Sequence, residues 1–136
     1  MTGYRYRQLV TFADTNVVGN VYFSKYVEWQ GRCRELFLLE HAAQVARDTA
    51  AGRLVLVTIG CRMDYLEECY AMDELLIEMT PKVVAANRIT MGFRYRRDSV
   101  EVARGEQTVG FMARDGDRLV PVPVPSALVE AMRPFS

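Results

Sequence analysis

The clearest periodic pattern in the chain covers residues 88–96, where apolar and polar side chains alternate. The apolar set consists of Ile89, Met91, Phe93 and Tyr95. A period of two is typical of a β-strand with one face in the core. Strand-like segments also lie at 4–12, 54–59, 73–80 and 100–114, and short connections join the last four strands. Short connections favour antiparallel pairing, so we predict a five-stranded antiparallel sheet, with strand 54–59 buried on both faces.

Between the first two strands the sequence predicts one long helix. Counting about 100° per residue from Phe23 defines an apolar face. Its members are Val27, Gln30, Phe37 and His41, with Tyr26 and Cys33 a little further round. The opposite face carries Lys25, Glu28, Arg32 and Glu35, whose alternating charges are typical of a solvated surface. One helix covering one face of the sheet makes the fold class α+β, with a single domain over residues 1–136.

The last part of the chain contains the run VPVPVP at 120–125. Proline cannot donate to a central sheet ladder, so we expect an extended edge or exit segment there. Turns are expected at 97–99 and at Asp115–Gly116. A short helix should follow, capped by Ser126 and stopped by Pro134.

Arg34 interrupts the apolar face of the long helix. It lies about 20° from Phe23 on the same count, so we expect it in the middle of that face. A buried charge without a partner costs several kcal/mol or more. Arg34 therefore either snorkels, or pairs with a carboxylate such as Asp14, Asp64 or Glu68, or faces a ligand oxygen, and periodicity alone leaves these alternatives open.

The loop FADTNVVGN lies ahead of the helix. Asp14, Asn16 and Asn20 can accept hydrogen bonds from local backbone N–H groups, and Gly19 permits a left-handed turn. Asn20 and Ser24 are candidate helix N-caps. A helix N-terminus also presents free N–H groups that can hold a carbonyl oxygen developing negative charge. The loop is thus either a capping structure alone or half of a catalytic site.

Charge and cysteine content exclude several classes of protein. Seventeen basic residues balance 17 acidic ones, which argues against a nucleic-acid or membrane-surface partner. The start MTGYRYRQ lacks the apolar core of a signal peptide, so we expect a cytoplasmic protein. Cys33, Cys61 and Cys69 lack metal-site spacing and are expected to be buried free thiols. With a single histidine in the chain, we expect no metal site and no cofactor.

The segment FADTNVVGNVYFSKYVEWQGRCRE resembles the front end of hotdog-fold acyl thioesterases of the 4-hydroxybenzoyl-CoA thioesterase superfamily. It is most similar to the branch that serves enediyne polyketide synthases. The similarity continues through VLVTIGCRMDYLEE, AMDELLIEM and VARGEQTVGFM, and so covers nearly the whole chain. The resemblance implies a five-stranded antiparallel sheet wrapped around the long helix, subunits paired edge to edge, a dimer of dimers, and active sites between subunits.

Asn16 departs from the superfamily pattern. Many members have Asp-x-Asp in this loop, with the second Asp as nucleophile or base, whereas this chain has Asp-Thr-Asn. An amide cannot act as a general base near neutral pH. The resemblance to the enediyne branch implies that Asn16 positions water or the thioester, and that Arg34 and Thr58 complete the catalytic group. Thr58 is otherwise an ordinary β-branched strand residue. The expected substrate-binding residues are Gly19, Tyr22, Phe23, Tyr26, Val27 and Phe37, of which Phe23, Tyr26, Val27 and Phe37 would form an apolar channel.

The implied reaction is hydrolysis of a β-keto polyene acyl thioester on the acyl carrier domain of an iterative polyketide synthase. Helix N-terminal amides, with or without Asn16, would bind the carbonyl oxygen, and Arg34 the tetrahedral intermediate, the departing thiolate or the β-keto oxygen. The β-keto acid product would lose carbon dioxide readily.

Three alternatives remain open at this stage. One is a non-catalytic hotdog module that binds an acyl group or a carrier protein, and another is an acyl-CoA thioesterase of primary metabolism. The third is a hotdog dehydratase, which would require a catalytic histidine. His41, the one histidine, lies near the expected helix end and is better explained as a core or C-terminal helix residue.

Overall fold

The structure is a computed structural model that describes residues 2–136. Within this range the sheet contains strands β1 (Tyr4–Leu9), β2 (Val55–Tyr65), β3 (Glu74–Val84), β4 (Arg88–Arg97), β5 (Val100–Asp115) and β6 (Arg118–Pro121). The helices are α1 (Ser24–His41), α2 (Ala43–Ala50) and α3 (Ser126–Met132). Short 3₁₀ turns cover Phe12–Asp14 and Arg133–Phe135. None of the helices in this range is both long and apolar enough to cross a membrane.

The strands pair antiparallel throughout, in the order β1-β3-β4-β5-β2. The short strand β6 pairs with the last residues of β5, where Pro121 lies opposite Met112. The five predicted strands and the extended proline segment are therefore confirmed, and the segment adds a sixth strand to the sheet. The turn at 97–99 is also confirmed, since β4 ends at Arg97 and β5 begins at Val100.

Helix α1 packs its buried stripe against the concave face of the sheet. The stripe consists of Tyr26, Trp29, Gln30, Cys33, Phe37 and Leu38. The facing residues of β4 are the four apolar residues that the alternation predicts, all buried. The buried hydroxyl of Tyr95 donates a hydrogen bond of 2.6 Å to the backbone oxygen of Tyr26 and so ties the first turns of α1 to the sheet.

The helical parts differ from the expectation at their ends. The long helix is not alone, because α2 follows after a break at Ala42, whose φ of −142° lies outside helical geometry. The flanking segments are rich in good helix formers, so their composition does not reveal this break. Neither Asn20 nor Ser24 caps α1: the N-cap residue is Phe23, which supplies no side-chain hydrogen bond. Ser126 is the first residue of α3 rather than its cap.

Strand β2 differs most from the prediction. It lies at a free edge of the sheet and runs as far as Tyr65, six residues beyond the predicted end. Within it, Val57, Thr58 and Ile59 are exposed, and the expectation of a strand buried on both faces is wrong for the single chain. Cys61 is exposed as well, whereas Cys33 and Cys69 are buried free thiols as expected. An exposed apolar edge strand of this length presents unpaired backbone groups to which another strand can pair.

Candidate active site

The loop before α1 is ordered by its own hydrogen bonds. The Asp14 carboxylate accepts from the backbone N–H of Thr11 at 2.9 Å and from the Thr11 hydroxyl at 3.1 Å. The backbone N–H of Asn16 donates to the carbonyl of Asn20, and that of Gly19 donates to the carbonyl of Asn16. Gly19 has a φ of +94°, the left-handed conformation that the sequence predicts there. The capping role of Asp14 is confirmed, and its carboxylate is engaged by Thr11.

Asn16 has one end of its side-chain amide engaged. The Oδ1 atom accepts a hydrogen bond of 3.0 Å from the backbone N–H of Val18, two residues along the loop. This hydrogen bond fixes the orientation of the amide. Because Oδ1 is engaged, only the NH₂ group remains to contact a ligand. Asn16 can therefore donate a hydrogen bond to an oxygen atom, but it has no group that takes up a proton near neutral pH.

A cavity of about 350 Å³ opens beside this loop. Asn16, Tyr22, Phe23 and Tyr26 line it, which brings together four of the residues predicted to form the site. The remaining lining residues are Asn20, Val21, Tyr65, Glu67 and Glu68. The first turn of α1 borders the cavity and carries no side-chain cap, and its Lys25 N–H already donates to the carbonyl of Tyr22 at 3.0 Å. The other N–H groups of the turn can meet a bound oxygen. We call this space the loop cavity.

Arg34 lies at the edge of the buried stripe of α1, because that stripe is centred nearer to Cys33 than to Phe23. Its Nη1 donates a hydrogen bond of 2.7 Å to the Oε1 of Gln107. The Nε atom is buried and has no partner within residues 2–136. Burial lowers the pKa of the guanidinium, and the charge of Glu35 opposes that shift. The group nevertheless remains cationic at neutral pH.

The alternative in which Arg34 pairs with a carboxylate does not occur in the described chain. Asp64 pairs with Arg62 at 3.0 Å, Glu68 accepts from Asn20, and Asp14 accepts from Thr11. No ion pair of Arg34 occurs among the salt bridges of the described chain. Snorkelling is disfavoured as well, because the guanidinium is only half-buried yet its Nε is removed from solvent without a partner. A half-buried guanidinium whose hydrogen-bond partner is neutral favours the third alternative, that Arg34 faces a ligand oxygen.

A second, narrow cavity of about 20 Å³ adjoins Arg34 between α1, the sheet and α3. Phe37 lines it together with Leu38, Leu56, Met79, Ile89, Met91, Val109, Phe111, Leu128 and Met132. We call this space the arginine cavity. Phe37 thus lies in the arginine cavity, Phe23 and Tyr26 lie in the loop cavity, and Val27 lines neither of the two. The single channel expected from these four residues is not formed in one chain.

Thr58 lies on the same side of the sheet as the arginine cavity. It is opposite the buried Val109 in the pairing of β2 with β5, and directly opposed residues place their side chains on one face. The register shifts at Ile59, so β2 carries a bulge beside Thr58. The hydroxyl is exposed at the free edge of the sheet. Thr58 and Arg34 are therefore on one face, near the edge where a second subunit would add.

Asn16 and Arg34 are held apart within one chain. Ten helical residues separate the start of α1 from Arg34, which corresponds to about 15 Å along the axis. The two cavities share no lining residue. The described chain thus holds two separate groups of candidate site residues, the loop with Asn16 and the arginine cavity with Thr58 beside it.

Sequence reasoning missed Gln107, the partner of Arg34. Gln107 occupies an inward position of β5 between Gly105 and Val109, where the strand pattern requires an apolar residue. A polar residue in the apolar phase of a strand is the signal that identifies it. His41, in contrast, is where the sequence predicts: it is the last residue of α1, and its ring packs against Tyr4, Phe37 and Phe135. It lines neither the loop cavity nor the arginine cavity, which disfavours a dehydratase.

Comparison with known proteins identifies the architecture. Residues 10–132 match the family model described as the thioesterase-like superfamily. The structure is similar to that of the dynemicin thioesterase, with a TM-score of 0.93 and 43% identity over 98% of this chain and 96% of the other. A search of curated proteins found no match.

Two more distant structures share the fold. The 1,4-dihydroxy-2-naphthoyl-CoA thioesterase from Synechocystis has a TM-score of 0.85 and 20% identity, covering 96% of this chain and 95% of that one. The 4-hydroxybenzoyl-CoA thioesterase from Pseudomonas sp. strain CBS-3 also has a TM-score of 0.85 and 20% identity, over 96% and 99% of the two chains. The predicted hotdog fold and the resemblance to the enediyne branch are confirmed. The chain belongs to the thioesterase-like superfamily and is a hotdog-fold thioester hydrolase.

Proposed function

We propose that this thioesterase hydrolyses a β-keto polyene acyl thioester carried on the acyl carrier domain of an iterative enediyne polyketide synthase in the cytoplasm. The observation that carries the proposal is the Arg34 guanidinium, which is half-buried, donates to the neutral Gln107 and has no carboxylate partner in the described chain; its buried Nε has no hydrogen-bond partner there either. Support for the acyl group comes from the dynemicin thioesterase, whose structures were described with bound polyene.

The complete site requires two subunits on this proposal. Strand β2 has a free, apolar edge, and antiparallel self-pairing there would follow a two-fold axis. The end of β2 that carries Tyr65 lies beside the loop cavity. Antiparallel self-pairing would place this end next to the part of the partner strand that carries Thr58. Asn16 from one subunit and Arg34 with Thr58 from its partner would then form one site. Two such dimers would make a tetramer.

The chemistry follows from donors rather than from a strong base. A thioester carbonyl is already electrophilic, so orientation of water and stabilisation of the oxyanion account for most of the barrier reduction. The NH₂ of Asn16 and the first-turn N–H groups of α1 bind the carbonyl oxygen as negative charge develops on it. Arg34 stabilises the tetrahedral intermediate or the departing thiolate and can bind the β-keto oxygen. The free β-keto acid then loses carbon dioxide without help from the protein.

Charge favours a carrier domain over coenzyme A. Glu67 and Glu68 line the loop cavity, and their carboxylates repel phosphate groups. Coenzyme A carries more phosphate charge than the phosphopantetheine arm of a carrier domain. We expect a higher kcat/KM for the carrier-bound thioester than for the coenzyme A ester of the same acyl group. An equal or higher value for the coenzyme A ester would favour an acyl-CoA thioesterase of primary metabolism.

A mixing experiment tests the shared site. Asn16→Ala and Arg34→Ala proteins are each inactive on this proposal, but an Asn16→Ala subunit paired with an Arg34→Ala subunit has one intact site. Equal amounts, unfolded and refolded together, should recover about a quarter of wild-type activity, because half of random dimers are mixed and each has one intact site of two. No recovery, with mixed dimers verified by mass spectrometry, would contradict a site between subunits. Co-expression with the synthase and mass spectrometry of the released product would identify the acyl group.

A further inference from the structure

We propose that Gln107 is a positioning residue that aims the Arg34 guanidinium at the reacting thioester, and that Gln30 holds Gln107 in turn. This inference rests on the proposed role of Arg34 and extends it to two residues inside the core. Neither glutamine lines the loop cavity or the arginine cavity, so each acts through its neighbour.

The three side chains form one directed series of hydrogen bonds. Arg34 Nη1 donates to Gln107 Oε1 at 2.7 Å, and Gln107 Nε2 donates to Gln30 Oε1 at 3.4 Å. Gln30 Nε2 then donates to the backbone oxygen of Arg62 at 3.1 Å. In both glutamines the side-chain carbonyl accepts from the Arg34 side of the series, and the NH₂ group donates away from Arg34. The series therefore anchors the guanidinium to the backbone of β2, the strand at the free edge.

The core is built to accommodate this series. Gln30 and Gln107 are the two buried polar residues of the described chain, and they are 0% and 4% exposed. Gly105 makes room for them, since a Cβ there would overlap both the Gln30 amide nitrogen and the Arg62 carbonyl oxygen. Burying two amides in an apolar core costs free energy unless they are hydrogen-bonded. Two apolar residues would fill the same space without that cost, so packing alone does not explain the pair.

An amide partner suits the task better than a carboxylate. Gln107 fixes the direction of the guanidinium through its carbonyl and leaves the positive charge uncompensated. A carboxylate at the same place would orient Arg34 equally well but would cancel much of its field. The remaining N–H groups of Arg34, the buried Nε among them, have no partner in the described chain. On our proposal those that face the assembled site bind an oxygen with partial or full negative charge. The β-keto oxygen and the tetrahedral oxyanion both have this character.

The test compares Gln107→Met, Gln107→Glu and Gln30→Met with a matched control. The control is Gln8→Met, because Gln8 also accepts a hydrogen bond from an arginine of α1, Arg32, but on the solvated face. The probe is the β-ketodecanoyl thioester of N-acetylcysteamine, followed by thiol release. We expect kcat to fall about 10- to 100-fold in both Gln107 variants, with KM within about threefold. In Gln107→Met the guanidinium is misaligned, and in Gln107→Glu its charge is compensated. Gln30→Met should show a smaller fall and Gln8→Met almost none.

Two further measurements separate positioning from general damage. Gln107→Glu should lose kcat without a lower melting temperature, since an ion pair replaces the hydrogen bond to Arg34. In the Arg34→Ala background, Gln107→Met should cause no additional loss of kcat if Gln107 acts through Arg34. An equal loss in both backgrounds, or wild-type kcat in both Gln107 variants while Arg34→Ala is inactive, would overturn the inference. Wild-type kcat in Arg34→Ala would instead overturn the proposed function. If Gln107→Met does not fold, Gln107→Glu and Gln30→Met decide the question.

Discussion

The loop cavity and the arginine cavity border the same helix but are built from different kinds of contact. Around Asn16 the hydrogen bonds join residues within a few positions of one another, as between Val18 and Asn16 or Thr11 and Asp14. Around Arg34 they join residues far apart, such as Arg34 with Gln107, which are 73 positions apart. The loop around Asn16 is thus organised by the local sequence, although long-range bonds from Asn20 to Glu68 and from Tyr65 to Phe23 join the far wall of the loop cavity. The position of the Arg34 side chain depends only on the folded sheet.

The two regions also differ in the role of charge. Carboxylates are present at the loop cavity, where Glu67 and Glu68 line the wall. The arginine cavity combines one cation with apolar walls, and the neutral Gln107 bonds that cation from behind the wall. On our proposal an oxygen that is developing negative charge is therefore stabilised most by the arginine side, while the loop side supplies dipolar N–H donors. This difference predicts which substitutions cost most.

Arg34→Ala should cause the largest loss and would sharpen the contrast. We expect kcat to fall about 10²- to 10³-fold, the scale of removing one transition-state donor. The free energy of unfolding should fall by only about 1–2 kcal/mol, because the change leaves a neutral glutamine without a partner rather than a buried carboxylate. Arg34→Lys should also lose kcat, since lysine keeps the charge but lacks the planar fork. Urea unfolding and steady-state kinetics measure both quantities. A stability loss of about 3–5 kcal/mol would indicate a buried ion pair instead.

Asn16→Asp tests the loop side of the site and should lower kcat about 10²-fold. The aspartate keeps the acceptor oxygen that binds the Val18 N–H, so the loop should keep its conformation. It loses the NH₂ donor and places a negative charge beside the oxyanion. Asn87→Asp is a suitable control, because it makes the same change at an exposed asparagine that does not line the loop cavity. If Asn16→Asp matched or exceeded wild-type kcat, Asn16 would orient water rather than donate to the oxyanion.

The contrast explains what could be predicted from the sequence. The alternation through Phe93 and Tyr95 fixes a strand because its period is local, and the left-handed Gly19 follows from loop composition. The partner of Arg34 does not follow from the local sequence, because Gln107 is brought to the helix only by the pairing of the strands. The angular count from Phe23 also failed to place Arg34 correctly. That count assumes that the first apolar residue marks the buried face, whereas Phe23 is exposed in the loop cavity.

The exposed edge of β2 connects the two regions on our proposal, so Ile59→Lys should weaken both together. A lysine at an edge strand opposes self-pairing, and Ile59 is 51% exposed in the single chain. We expect light scattering to show a shift from tetramer towards monomer at micromolar concentration, with kcat/KM reduced about 10-fold or more as the half-sites separate. Val83→Lys is the matched control, an exposed apolar residue on β3. If the Ile59→Lys variant kept the wild-type oligomeric state, or if its monomer were active, the proposed link between assembly and activity would be contradicted.

The smallest predicted effect concerns pH and again distinguishes the core from the surface. Burial raises the pKa of the Cys33 thiol to about 12, from an ordinary value near 9. The folded state therefore holds this proton more tightly than the unfolded state, and the associated stability is complete below about pH 9 and is lost as pH rises towards 12. At pH 10 the loss should be about 1 kcal/mol. Burial also raises the pKa of Tyr26 and Tyr95, which adds to the loss of stability in the same direction.

Cys33→Ala should lower stability at pH 7 but flatten its decline between pH 9 and 10.5, as measured by urea unfolding. Cys61→Ala makes the same substitution at an exposed thiol and is the matched control. Equal slopes for the wild type and Cys33→Ala would show that ionisation of this thiol does not cause the loss of stability at alkaline pH.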